Sequence, residues 1–86
     1  MPEICRFYGI VIKMFFDDHT PPHFHAEYGS FEALIEIDTL AIIAGKLPPR
    51  ALGLVMEWST IHQKKLLSLW KNAKGQKPVG KIAPLR

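Results

Sequence analysis

The chain has one cysteine, Cys5, in 86 residues. A lone cysteine cannot close an internal disulfide, and it supplies no thiolate pair for a structural zinc site. No histidine or lysine lies beside it in sequence to activate it, so its expected role is a small buried hydrophobe. Long apolar runs are also missing. None approaches the ~20 residues of a membrane span, and the first residues lack the basic flank and apolar core of a secretory signal. A cytoplasmic location with no membrane contact is therefore expected. Neither a helix-turn-helix spacing nor an RNA-stacking signature is present, which argues against sequence-specific DNA reading. Repeats and low-complexity tracts are absent too.

Acidic residues are scarce in one half only. After position 45, Glu57 stands alone against nine lysines and arginines; the first 45 residues hold seven acidic residues against Arg6 and Lys13. The net charge of +3 conceals this split. The basic half could face a polyanion or an acidic protein surface, or could be neutralised by the acidic half. Its candidate basic surface is Lys64, Lys71, Lys74, Lys77 and Lys81, with weak nucleic-acid binding as the corresponding expectation.

Hydrophobic residues make up 48% of the chain, enough for one small core in one domain. Ile4 to Phe16 is rich in β-branched and aromatic residues and reads as one long strand or two short ones around Gly9. Tyr8, Ile10, Ile12, Met14 and Phe16 share one face of that stretch. Pro21-Pro22 ends it with a stiff connector. "HFHAEY" and "FEALIEI" alternate around Gly29-Ser30, which fits a two-residue hairpin turn with glycine first. That turn pairs Tyr28 with Phe31, Ala26 with Ala33, Phe24 with Ile35 and His23 with Glu36. "LAIIAG" adds a further short strand.

A helix is expected from Pro49 to about Gly75. Ala51, Val55, Trp58, His62, Leu66, Leu69 and Ala73 form its apolar stripe; Glu57, Lys64, Ser68 and Lys71 lie opposite. The fold class is α+β: a small antiparallel sheet of three to four strands packed against one long C-terminal amphipathic helix. Residues 1–75 form the domain, and residues 76–86 form an extended tail that docks through Val79, Ile82 and Leu85.

Three of the four histidines, His19, His23 and His25, fall within seven positions. On a strand, His23 and His25 project from the same face, about 7 Å apart along the backbone. That arrangement can supply two nitrogen ligands to zinc or nickel, with His19 or a carboxylate as the third. The candidate binding set is His19, His23, His25, Glu27 and Glu36. The plainer reading ties His23 to Glu36 and His25 to Glu27 as ordinary surface pairs. General acid–base chemistry is a third reading: a metal-independent ribonuclease could use His23 or His25 with Lys46 or Arg50 as a cationic clamp. His62 lies in the apolar stripe and is expected to be a satisfied core histidine. Trp58 and Trp70 read as core or interface anchors.

"RFYGIVIKMFFDDHTPPHFHAEYG", "GKLPPRAL" and the downstream pattern of Glu57, Trp58, His62 and Trp70 resemble the small bacterial family catalogued as domain of unknown function 4160. The resemblance covers nearly the whole chain. It implies a compact bacterial domain with a protein partner, in a toxin–antitoxin-like or regulatory pair, and it supplies no catalytic residues. The expected function is an interaction module, self-associating or paired with another small protein, with the His-rich hairpin as its site. A ribonuclease-like toxin and a transition-metal-binding protein are the alternatives.

Overall fold

Tyr8 and Gly9 take positive φ values of 49° and 81° in the computed structural model, which describes residues 3–15, 19–75 and 80–85. Two successive positive φ values are what a type I′ hairpin turn requires. The first apolar stretch is therefore a hairpin: β1 (Glu3–Phe7) folds back on β2 (Ile10–Lys13), with Phe7 opposite Ile10. The turn changes the parity of the stretch. Along one strand Phe7 and Ile10 would face opposite ways. Paired across a two-residue turn they share a face, and Phe7, Ile10, Ile12 and Met14 are buried while Tyr8 is exposed. Tyr8 thus leaves the face expected for it, and Phe16 lies outside the described residues.

β3 (His23–Tyr28) and β4 (Phe31–Glu36) pair in the register read from the alternation: His23 opposite Glu36, Phe24 opposite Ile35, Ala26 opposite Ala33, Tyr28 opposite Phe31. Gly29 carries the positive φ, 58°, at the first loop position. β5 (Ile42–Lys46) joins the far side of β4, with an irregularity that leaves Ile43 without an opposite residue. The sheet is a five-stranded antiparallel meander in the order β1-β2-β3-β4-β5. The expected three to four strands fall short because the first hairpin splits what sequence alone left as one strand or two.

The expected single helix is two: α1 (Pro49–Ile61) and α2 (Gln63–Lys74), separated at His62 with φ −109° and ψ 19°. The Ser59 hydroxyl donates to the Val55 carbonyl at 2.7 Å, and the Thr60 hydroxyl donates to the Met56 carbonyl at 2.8 Å. Side chains that bond back to the carbonyl four residues earlier compete with the helical ladder and bend it. The apolar stripe survives the break. Ala51, Val55, Trp58, Leu66, Leu69 and Ala73 are buried, His62 is half-buried with its ring 5.4 Å from that of Trp58, and Glu57, Lys64, Ser68 and Lys71 are exposed. Trp58 meets the sheet through Phe7 and Phe24, at ring separations of 5.5 and 5.9 Å.

The described part of the tail carries no helix or strand, yet it is tied down. Ile82 donates its amide to the Ile4 carbonyl at 2.9 Å and is buried, Trp58 Nε1 donates to the Ala83 carbonyl at 2.9 Å, and Leu85 packs partly against the core. Val79 and Lys77 lie outside the described residues. Cys5 is buried in the core, and burial pushes its thiol up from the ordinary range, as suits an inert hydrophobe. No helix among the described residues is long and apolar enough to cross a membrane.

Candidate functional site

Alternation sends Phe24 and Ala26 into the core and His23, His25 and Glu27 the other way. The His23 and His25 rings stand 5.4 Å apart, so the pair does converge. Each is held by its own neighbours. His23 is only 6% exposed; its Nδ1 donates to the Pro21 carbonyl at 2.8 Å, and its ring packs 5.3 Å from that of Trp70 in α2. His25 Nδ1 donates to Glu32 Oε2 at 3.1 Å, and its ring meets Phe15 edge-on at 4.6 Å. The Pro21-Pro22 connector thus supplies a hydrogen-bond acceptor to the site as well as stiffness. His19 is exposed, and among the described residues no hydrogen bond, ion pair or ring contact joins it to the pair.

The expected carboxylate pairings change. Glu27 is drawn across to β2, where Lys13 Nζ lies 3.0 Å from its Oε1. Glu36 faces His23 in register, yet its carboxylate accepts the Thr39 hydroxyl at 3.0 Å and closes the turn into β5. Glu32 holds His25 instead, on the diagonal rather than directly opposite. Among the described residues no group of three or more His, Cys, Asp or Glu side chains is placed to hold a metal ion. Of the cationic clamp, Lys46 stands opposite Glu32 in the sheet, whereas Arg50 lines a cleft that none of the histidines lines. On the basic side, Lys64, Lys71 and Lys74 are exposed along α2, with Lys74 Nζ 5.6 Å from the Trp70 ring centre. Lys81 is exposed beside β1, where its charge acts on Glu3. The Arg6 guanidinium grips Glu3 by two hydrogen bonds and is the main cause of its lowered carboxyl pKa.

Sequence reading missed a cleft between the sheet and α1. This cleft of ≈ 640 Å³ opens where two hairpin ends meet the first half of α1. Tyr8 from the β1–β2 turn and Tyr28 from the end of β3 form one side; Arg50, Leu54 and Glu57 of α1 form the other. Ile10 pairs directly with Tyr28, which brings the two hairpin ends together. The available signal was the spacing of Arg50, Leu54 and Glu57, which share one helix face. Nothing in the sequence says that this face looks onto the tyrosines.

A family model described as a domain of unknown function (DUF4160) matches residues 9–71. No curated protein and no solved structure matches the chain. The matched span takes in β2 to β5, both histidines of the pair and nearly all of both helices, and on that match the chain belongs to the DUF4160 family.

Proposed function

We propose that the protein is an interaction module that associates with a second small chain, in the first instance its own copy, through the open edge of its sheet. One observation carries this: every residue of β5 is exposed, including Ile42 at 39% and Ile43 at 43%. An edge strand presents unpaired backbone donors and acceptors, and proteins that stay apart guard such edges with charge, proline, bulges or cover. Of these β5 has Lys46, at its last position, and the single irregularity at Ile43. The opposite edge is different, because the tail bonds to Ile4 there. The irregularity at Ile43 turns a second apolar side chain outward beside Ile42. Two adjacent isoleucines on an open edge suit strand addition by another chain.

Sedimentation equilibrium of the purified chain over a range of concentrations tests this. Self-association is expected, and Ile43→Lys is expected to raise the dimer dissociation constant by about tenfold or more. Thermal stability at low concentration should hold, because the side chain is exposed in the monomer. A wild-type chain that stays monomeric throughout would remove self-pairing and leave a different small protein as the partner, in a toxin–antitoxin-like or regulatory pair.

A second reading is zinc or nickel bound at His23 and His25, favoured by their 5.4 Å ring separation on one strand face. Substituting His23 would disturb a buried, packed side chain, so His25→Gln is the cleaner variant. Calorimetric titration with each metal is expected to show heat for the wild type that His25→Gln loses. Equal heats from both proteins would sink the metal site.

A further inference from the structure

Two residues around the hairpin cleft stand where local physics disfavours them, and a third leaves its aromatic ring partly open to solvent. Tyr8 occupies φ 49°, a region that bulky side chains rarely adopt, at a turn position that ordinarily takes asparagine, aspartate or glycine. It also leaves 61% of its surface in solvent. Tyr28 is 39% exposed, with its ring lying over Gly9 at the neighbouring turn. Arg50 sits in the first turn of α1, where the helix dipole disfavours a cation, and no acidic residue shares that turn. Neither Arg50 nor Glu57 has an ion-pair partner among the described residues. Departures from local preference that gather in one place mark a functional site more often than scattered ones do. The three residues come from the first hairpin, the second hairpin and α1, and all line the same cleft.

The lining also suits a small ligand that is part apolar and part charged: the two tyrosine rings, Pro48, Leu54 and Leu85 supply apolar surface, and Arg50 and Glu57 supply charged groups that fix orientation. We infer that the cleft binds one nucleotide unit, its base stacked on the exposed tyrosines, its phosphate paired with Arg50 and a ribose hydroxyl donated to Glu57. Each part of that ligand meets a group suited to it. Tyrosine faces accept any base by stacking. A guanidinium matches the geometry of a phosphate. A carboxylate accepts from sugar hydroxyls, as acidic residues do in dinucleotide sites. A volume of ≈ 640 Å³ falls within the usual range for such ligands. The unit could be a free mononucleotide or one residue of a single-stranded RNA, and the lysines of the second half would favour the strand.

The full-length chain is titrated calorimetrically with adenosine monophosphate, with ribose 5-phosphate and with a short oligoadenylate. The same titrations are run on Arg50→Gln and Tyr8→Asn. Asparagine suits the positive φ at position 8, so Tyr8→Asn should fold at least as stably as the wild type and removes only the ring. Saturable binding of adenosine monophosphate, weakened about tenfold or more by each variant and by loss of the base, is the expected result for a free nucleotide. Binding of the oligoadenylate alone, weakened by both variants in the same way, identifies the strand as the source. Oligoadenylate binding that both variants leave unchanged places the contact on lysines elsewhere and overturns the inference. So does the absence of saturable binding to any of the probes.

Discussion

Gly45→Ala is expected to unfold the protein or to lower its stability by about 3 kcal/mol or more. Gly45 holds φ 75° in β5, opposite Ala33 of β4. A side chain there meets two separate penalties. The backbone region is strained for any L-residue with a Cβ, at roughly 1–3 kcal/mol. The added Cβ would also overlap the Glu32 carbonyl oxygen, with the Glu32 carbonyl carbon at 3.0 Å and the Ala33 Cα at 3.1 Å. These are backbone atoms of a paired strand, so no rotamer change can clear them, and β4 must shift or β5 must detach. Gly53→Ala is the control, since nothing lies within 4 Å of its added Cβ and alanine favours a helix. Urea denaturation of both variants checks the contrast. A loss of under about 1 kcal/mol for Gly45→Ala would show that β5 yields at little cost, and would weaken the case for it as a firm interaction edge.

Much of this fold was legible because local chemistry and burial agreed. In the second hairpin, glycine at the first loop position and strict alternation on both sides leave one register, and the sheet adopts it. The helix stripe was equally clear, since its spacing survives the break at His62. The break itself had a visible signal in Ser59-Thr60, whose hydroxyls bond back along the helix. The first hairpin was harder to read because tyrosine stands where a type I′ turn ordinarily takes asparagine, aspartate or glycine. The histidine face was half legible. Its register followed from the turn, but its partners did not, because each strand has two neighbours. Lys13 on β2 draws Glu27 away, Thr39 engages Glu36, and His25 is left to the diagonal Glu32. Of the cleft only the shared helix face of Arg50, Leu54 and Glu57 was legible, since Tyr8, Tyr28 and Arg50 meet only after the meander brings two hairpin ends to α1.

Trp58→Ala is expected to be severely destabilising, by about 3–5 kcal/mol. Trp58 is fully buried, touches Phe7, Phe24 and His62, and sits where α1 crosses the sheet. Removing the indole leaves a cavity that two strands and a helix would have to collapse together to fill, and close-packed cores relax only in part. The indole also has a polar task. Its Nε1 donates to the Ala83 carbonyl, one residue beyond Ile82, whose amide is bonded to Ile4. One side chain therefore joins helix, sheet and tail. Trp58→Phe separates the two roles, because it keeps most of the apolar contact and deletes the donor. That variant should lose only about 1 kcal/mol from the hydrogen bond, plus a smaller packing loss. Its distinctive effect should be local: faster hydrogen exchange at the Ile82 amide, with the Phe24 and Ala26 amides of the central strand slowed or speeded only in step with global stability. Exchange at Ile82 that changes no more than that of the central strand would show that the tail is held by burial of Ile82 alone, and that the indole bond contributes nothing to its docking.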